Sequence, residues 1–226
     1  MKRLLARAAR PLRALRAAAL IELSVADAYA LWAPTYAAAP HNPFMDLEQA
    51  ALLELLPELA GAVVVDLACG TGRYAAIARA RGAAAVIGVD LSQDMLRRAR
   101  PVTASVARGD LTALPLRSGV AGVVICGLAI GHVRHLEGAF GEMSRVLAPG
   151  GTLVYSDFHP AAYAAGHRRT FEVGGRWYAV EHHPHPPDDH RAACRAAGLD
   201  VEVVGETTTR DGARLPVVLV IRARKR

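Results

Sequence analysis

Two carboxylates beside a glycine turn form the strongest functional pattern in the sequence. Gly70 and Gly72 follow the apolar segment 63–67, which contains Asp66, and a second apolar segment ends in Asp90. Glycines let the backbone approach a ligand closely, and the free N–H groups at a helix start favour a negative or polar group. The Asp90 carboxylate can accept hydrogen bonds from both hydroxyls of a ribose. This spacing predicts a nucleoside pocket at the carboxyl ends of two strands.

A dinucleotide site is the main alternative, because the segment from Gly70 to Ala75 also matches the loose pattern G-x-G-x-x-G/A. That pattern places its first glycine directly after the strand and leaves room for a pyrophosphate. Here Asp66 lies four residues before Gly70, and a carboxylate suits a ligand that carries a cation better than one that carries phosphates. The residues favour a cationic nucleoside, and an NAD-dependent oxidoreductase stays the alternative.

The composition indicates one globular domain behind a basic N-terminal arm. The chain has 226 residues, 52% of them apolar, which is enough for a full-sized core. Residues 1–20 carry six of the 27 lysines and arginines and no acid, so the remaining 21 bases equal the 21 acids in number. The net charge of +6 therefore belongs to the arm. Residues 21–226 are neutral, which argues against a dedicated nucleic-acid face.

The arm itself has three interpretations: a solvated amphipathic helix interrupted at Pro11, a tail that binds an anionic surface or a partner, and an arginine-rich targeting peptide. No apolar run approaches the roughly 20 residues of a membrane span. Cys69, Cys126 and Cys194 are odd in number and lack C-x-x-C spacing, which indicates a reducing compartment. We expect a cytoplasmic protein that works as a monomer or homodimer.

The elements that must position the pocket follow from the alternation of short apolar runs with helix-length segments after residue 62. This alternation predicts an α/β fold with a parallel sheet and helices on both faces. A turn at 210–212 separates the last two runs and predicts a hairpin. Helices are predicted over 46–56, after the capping residue Ser92, over 136–147 and over 192–197. The predicted strands are 63–67, 85–89, 102–107, 120–126, 152–156, 201–204 and 217–221.

Two segments around the sheet are expected to shape the pocket within a single domain, 21–226. Residues 21–60 are predicted to form a helical cover, and residues 158–190, rich in His, Pro, Gly and Arg, to form a substrate lid. Six of the nine histidines fall in the lid. Their proline-broken spacing at 182–185 argues against a metal site, so we expect no metal.

Four ordered motifs resemble those of the class I S-adenosylmethionine-dependent methyltransferases. They are DLACGTG at 66–72, VIGVDLS at 86–92 with Met95 and Leu96, GDLTALPL at 109–116 and RVLAPGG at 145–151. The sequence is most similar to the small-molecule group that includes the ubiquinone/menaquinone and malonyl-carrier methyltransferases. The resemblance runs from about Tyr29 to Gly205 and implies a Rossmann-like seven-stranded sheet with six parallel strands and one antiparallel strand.

The resemblance implies S-adenosylmethionine as the cofactor and S-adenosylhomocysteine as its product. Asp66 and the glycines would hold the methionine part, Asp90 the ribose and Asp110 the adenine amine. The full set of cofactor-binding residues that it implies is Tyr36, Asp66, Ala68, Gly70, Gly72, Asp90, Leu91, Met95, Asp110, Leu111 and Cys126.

Aromatic residues ahead of the sheet match the family's Tyr-x-x-Trp-Ala-x-x-Tyr element, here running from Tyr29 to Tyr36. They could close over a sulfonium, since a π face attracts a cation, or Trp32 could simply pack the cover helix. Acceptor contacts are expected from Tyr29, Trp32, Arg168 with its neighbour Arg169, Trp177 and His183.

Methyl transfer is an in-line displacement at a carbon activated by the positive sulfur, so the protein must mainly align the reactants and exclude water. A general base matters only if the acceptor loses a proton. His132, after the fourth predicted strand, and His159, after the fifth, are the catalytic candidates. We expect an enzyme that methylates an oxygen of a small secondary metabolite. Nitrogen or carbon acceptors, carrier-bound acyl groups, and a cofactor-binding scaffold without turnover stay open.

Overall fold

The structure, a computed structural model, describes residues 20–103, 105–209 and 214–226. The basic arm, apart from Leu20, and the predicted turn at 210–212 lie outside the described residues. The helices are α1 Val25–Trp32, α2 Pro43–Leu55, α3 Arg73–Ala80, α4 Gln93–Ala99, α5 Leu136–Val146, α6 Pro160–Ala164 and α7 Pro187–Ala196. The strands are β1 Ile21–Leu23, β2 Val63–Leu67, β3 Ala85–Asp90, β4 Ser105–Arg108, β5 Ala121–Cys126, β6 Leu147–Phe158, β7 Thr170–Val173, β8 Arg176–Val180, β9 Leu199–Thr208 and β10 Pro216–Lys225.

Seven strands form the main sheet in the order β4-β3-β2-β5-β6-β10-β9. The pairs from β4 to β6 are parallel, and β10 is antiparallel to both β6 and β9. Six strands therefore run one way and β10 runs the other way, which confirms the predicted Rossmann-like sheet. The strand β2, VVVDL, is buried almost throughout because parallel strands are covered on both faces.

The order of the strands places a switch point between β2 and β5. From β2 the chain moves outward through β3 to β4, and it then crosses back to β5 on the other side of β2. Open α/β sheets bind ligands at such a point, in the crevice beyond the carboxyl ends of the strands. Asp66 near the end of β2, Asp90 at the end of β3 and His132 after β5 all approach this crevice.

Both faces of the sheet are packed with apolar side chains. On one face, Phe140 and Met143 of α5 pack against Tyr155 of β6. On the other face, Leu52 of α2 and Tyr74 of α3 pack against the strands. Burial of this apolar surface at roughly 25 cal/mol per Å² is the main stabilising contribution to the sheet that carries the site.

Four strands of the main sheet differ clearly in length from the sequence prediction. β9 at Leu199–Thr208 and β10 at Pro216–Lys225 extend beyond the predicted 201–204 and 217–221, because the two strands pair with each other along most of their length. The strand predicted at 102–107 begins only at Ser105, because the N–H groups of Val102 and Thr103 both bond to the carbonyl of Ala99 as the chain leaves α4. The strand predicted at 152–156 is longer, since β6 already pairs with β5 at Leu147, with an irregularity before Val123.

A second, three-stranded sheet joins the segments predicted as cover and lid. Its order is β1-β8-β7, with β1 parallel to β8 and β7 antiparallel to β8. Gly174 and Gly175 both have positive φ, 58° and 76°, as a two-residue hairpin loop requires. The cover therefore begins with a strand rather than a helix, and the lid contains a hairpin. The prediction missed both because β1 has only three residues and pairs with residues 157 positions further along the chain, Ile21 with Tyr178.

Candidate functional site

A cavity of about 820 Å³, including its opening to solvent, lies at the switch point. We call it the central cavity. Ten candidate site residues named from the sequence line it: Tyr29, Tyr36, Ala68, Gly70, Asp90, Leu91, Asp110, Leu111, His132 and Arg169. The other lining residues are Val25, Ala26, Ser92, Gly109, Gly127, Leu128, Ala129 and Val133. The local motifs therefore converge on one cavity although they lie far apart in the chain.

The floor of the central cavity is the turn between β2 and α3. Ala68, Gly70 and Gly72 have φ values of 50°, 56° and 90°, all in the left-handed region. A non-glycine residue in that region costs on the order of 1–3 kcal/mol, and such strain often marks a ligand site. Ala68 and Gly70 both line the cavity, and because one has only a methyl side chain and the other has none, a ligand can approach the backbone closely there.

Asp90 is held rigidly on the wall of the central cavity. Its Oδ2 accepts the N–H of Gly70 at 2.7 Å, and its Oδ1 accepts the N–H of Ser92 at 2.8 Å. Burial raises the pKa of this carboxyl group, and these two hydrogen bonds act in the opposite direction. Each carboxylate oxygen can accept more than one hydrogen bond, so Asp90 can still receive two hydroxyl donors.

Replacing Asp90 by alanine is expected to weaken the binding of S-adenosylhomocysteine by about 1–3 kcal/mol, roughly 5- to 150-fold in Kd, because the ribose hydroxyls lose their acceptor. Calorimetric titration measures this change. The matched control is Asp94→Ala, one turn into α4, where the carboxylate pairs with Arg97 near the surface. Equal affinity of Asp90→Ala and Asp94→Ala would remove Asp90 from the site.

Asp66 lies beneath the glycine turn and does not line the cavity itself. Its Oδ2 accepts the N–H of Ala75 at 2.9 Å, and its buried Oδ1 has no hydrogen-bond partner among the described residues. Burial raises the pKa of the carboxyl group to about 7, the nearby Arg73 lowers it and Asp90 raises it further. An acceptor left without a donor at this depth fits a ligand with an ammonium group, because a cation there favours the ionised carboxylate.

The remaining predicted cofactor residues divide into two groups. Asp110 lines the cavity, and its Oδ1 accepts the N–H and the hydroxyl of Thr112 at 2.7 and 2.6 Å. Gly72, Met95 and Cys126 do not line it. Met95 and Cys126 are buried behind the wall, so their effect on a ligand would pass through packing.

A chain of hydrogen bonds connects the N-terminal cover, the lid and the end of β5. Arg169 Nη1 donates to Tyr29 Oη at 2.7 Å, and the Tyr29 hydroxyl lies 3.0 Å from His132 Nε2. His132 Nδ1 lies 3.0 Å from the carbonyl oxygen of Glu181. A carbonyl only accepts, so Nδ1 carries the ring proton and Nε2 accepts from Tyr29. Burial, followed by the charge of Arg169, lowers the pKa of His132 well below its usual value, so the ring is neutral.

The second predicted catalytic histidine is not brought to the central cavity. His159 caps α6, where its Nδ1 accepts the N–H of Ala161 at 3.1 Å. Its Nε2 lies 3.4 Å from Oε1 of Glu206, on β9. The position of His159 is that of a helix cap.

The predicted acceptor residues are dispersed. Trp32 stacks on Phe171 with ring centroids 4.6 Å apart. Trp177 is in register with Glu172 across the β7–β8 hairpin. It lines neither the central cavity nor the second cavity that adjoins it. The N–H of His183 donates to the Gly131 carbonyl at 2.6 Å, beside the central cavity rather than on its lining.

A second cavity of about 910 Å³ adjoins the central one, and we call it the aromatic cavity. The two cavities share Tyr36, Leu128 and Arg169 as a common wall. Its remaining lining residues are Trp32, Asn42, Phe44, Met45, Phe158, His167, Arg168 and Thr170. The walls of the aromatic cavity thus combine the rings of Trp32, Phe44 and Phe158 with the cationic groups of Arg168 and Arg169.

Sequence reasoning missed Glu48, the buried acid of α2. Its Oε1 accepts the hydroxyls of Tyr74 and Ser156, each at 2.6 Å, and its Oε2 pairs with Arg73 at 2.8 Å. The signal was present, because Glu48 lies at helical spacing between the buried Met45 and Leu52. An acid in an apolar stripe indicates a satisfied buried network.

The described residues contain no cluster of three or more His, Cys, Asp or Glu side chains arranged to hold a metal ion. In the same part of the chain, no helix combines the length and the apolar character that crossing a membrane requires.

Comparison with known proteins defines the class of this site. Residues 65–155 match the family model described as "Methyltransferase domain". Demethylmenaquinone methyltransferase of Thermus thermophilus is 31% identical over 174 residues, which cover 66% of this chain and 79% of the relative. A crystal structure of an S-adenosylmethionine-dependent methyltransferase from Mesorhizobium loti is 27% identical, has a TM-score of 0.68, and is matched over 79% of this chain and 98% of its own.

A second group of relatives is longer than this chain. Malonyl-[acyl-carrier protein] O-methyltransferase of Pectobacterium atrosepticum is 33% identical over 125 residues, which cover 53% of this chain and 49% of the relative. The chain spans about half to six-tenths of the length of the first curated relatives that it matches. The chain belongs to the class I S-adenosylmethionine-dependent methyltransferases, as its motifs predict.

Proposed function

We propose that the chain transfers the methyl group of S-adenosylmethionine to a hydroxyl oxygen of a small secondary metabolite. The observation that carries this proposal is the Asp90 carboxylate, fixed by two N–H groups on the wall of the central cavity. A ribose supplies the two hydroxyl donors that this carboxylate can still accept. Membership of the methyltransferase family supports a nucleoside with a sulfonium over a nicotinamide dinucleotide.

The residues present fit this cofactor part by part. The backbone at Ala68 and Gly70 would face the methionine portion, and the unpartnered Oδ1 of Asp66 would favour its ammonium group. Leu91, Asp110 and Leu111 line the same cavity and would surround the adenine. When bound, the cofactor supplies a methyl carbon activated by the positive sulfur.

The protein's own groups would then manage the proton of the acceptor. The neutral His132 ring accepts from the Tyr29 hydroxyl, and Tyr29 in turn accepts from Arg169. A hydroxyl acceptor beside Tyr29 could pass its proton along this chain to His132 Nε2 while its oxygen attacks the methyl carbon. The His132 ring would gain the positive charge with the proton, and the cofactor, having supplied the methyl group, would leave as the neutral thioether S-adenosylhomocysteine.

Calorimetric titration with S-adenosylhomocysteine, and separately with NAD and NADP, tests the proposal. Micromolar binding of S-adenosylhomocysteine without heat from either dinucleotide is expected. Binding of a dinucleotide alone would overturn the proposal in favour of an oxidoreductase. Cofactor binding without turnover on a panel of hydroxylated, amine and carbon-acid acceptors would instead indicate a binding scaffold. Turnover on an amine or a carbon acid alone would show that the acceptor atom is nitrogen or carbon rather than oxygen.

A cytoplasmic location and a monomeric or homodimeric state stay predictions.

A further inference from the structure

We propose that the aromatic cavity binds the acceptor and that Arg169 holds a carboxylate on it, so the substrate is an apolar organic acid. This inference rests on the proposed function, because it assigns the second substrate of the same site. The structural observation behind it is a buried guanidinium group that has only part of its hydrogen-bonding capacity satisfied, in a wall shared by two cavities.

Arg169 is a partly buried residue whose guanidinium group has no directly bonded counter-ion among the described residues. Its Nη1 donates to Tyr29 Oη at 2.7 Å, while its Nη2 is buried and has no hydrogen-bond partner among the described residues. No ion pair joins Arg169 to an acid in that part of the chain, although the buried Asp157 acts on it electrostatically. An uncompensated buried cation is strongly unfavourable. A ligand carboxylate would supply the missing charge and the missing acceptor at once.

The neighbouring arginine provides a contrast within the same segment. Arg168 Nη1 donates to the carbonyls of Tyr163 and His167 at 2.8 and 2.7 Å, and its guanidinium stacks 3.7 Å from the centre of the Tyr163 ring. Arg168 is therefore committed to the conformation of its own loop. The sequence named both arginines as acceptor contacts, and the hydrogen bonds favour Arg169 for that role.

The rest of the aromatic cavity determines the body of the acid. Trp32, Phe44 and Phe158 line it, and the Phe44 and Phe158 rings pack with centroids 5.1 Å apart. Such walls suit an aromatic or aliphatic skeleton that is desolvated on binding. Arg169 also lines the central cavity. It would therefore anchor the acid so that the acceptor atom of the acid can reach the methyl group past Tyr36 and Leu128.

The test compares acids with their uncharged amides in the presence of S-adenosylhomocysteine. The probes are 3-phenylpropanoate and octanoate, each against its primary amide. Trp32 lies in the cavity wall, so its fluorescence reports occupancy in a Trp177→Phe background, which removes the other tryptophan. Each acid is expected to bind at least tenfold more tightly than its amide, since charge-assisted bonds to arginine are about twice as strong as neutral ones.

Two variants locate the preference. Arg169→Gln is expected to abolish the difference between acid and amide, while Arg168→Gln keeps it; Arg169→Lys, which retains the charge, should keep part of it. Thermal unfolding of each variant shows whether it folds. Equal affinity of acid and amide in the unaltered protein, failure of both acids to bind up to 10 mM, or a preference that survives Arg169→Gln would overturn the inference. Binding of S-adenosylhomocysteine, measured separately, shows whether the proposed function stands when this inference fails.

Discussion

Replacing Glu48 by alanine is expected to lower the free energy of unfolding by about 3–5 kcal/mol, the usual loss when one partner of a buried ion pair is removed. The substitution would leave the Arg73 guanidinium and the hydroxyls of Tyr74 and Ser156 without their shared acceptor. Glu48 is fully buried, so water does not replace it. Denaturant unfolding followed by circular dichroism measures the change.

Glu54→Ala is the matched control, because Glu54 is an exposed acid on the same helix. Its effect is expected to stay within about 0.5 kcal/mol. Glu48→Gln keeps the side-chain shape and should cost less than Glu48→Ala. If Glu48→Ala and Glu54→Ala destabilised the protein equally, the buried network would not hold α2 onto the sheet.

Replacing His132 by alanine is expected to reduce kcat by about 10²–10⁴-fold on a hydroxyl acceptor, the usual contribution of a positioned base. Cofactor affinity should stay within about twofold, since the ring bonds to Tyr29 and to the Glu181 carbonyl rather than to the residues that would hold the nucleoside. Tyr29→Phe should show the same pattern, because it interrupts the chain one step earlier. Steady-state kinetics together with calorimetry separates the two quantities.

The pH dependence gives a second signature of His132. Because its pKa is lowered well below 6.5, the ring keeps its acceptor form at pH 6, where an ordinary histidine is mostly protonated. kcat is therefore expected to stay nearly constant from about pH 8 down to pH 6. His135→Ala is the control variant for His132→Ala, and its kcat is expected to stay normal, since His135 is exposed and makes no capping hydrogen bond at the start of α5. A normal kcat in His132→Ala would exclude His132 from proton transfer.

The parts of the site that sequence predicted are those built by local chain geometry. The glycine turn places Gly70 beside β2, and Asp90 ends the next strand, so both follow from strand–turn–helix units that are read within about 25 residues. The parallel sheet with helices on both faces followed from the alternation of apolar runs and helix-length segments. These features need no knowledge of which distant segments meet.

The parts that sequence did not predict depend on long-range contacts. Arg168 and Arg169 are indistinguishable as neighbours in the chain, and only the placement of Tyr29 and Tyr163 separates their roles. His132 and His159 both follow predicted strands. The His132 side chain reaches the central cavity, whereas the His159 side chain caps the start of α6. The direction of the backbone at the end of β6 decides this difference.

The pairing of β1 with β8 has a consequence for protein engineering and for the evolution of the family. Ile21, Glu22 and Leu23 are in register with 178–180, so the strand before Tyr29 and Trp32 is bonded to the hairpin that follows Arg169. Exchange of either segment alone with that of a relative would break this pairing. The residues proposed to contact the acceptor are therefore expected to be inherited, and transplanted, as one unit made of two separate stretches of sequence.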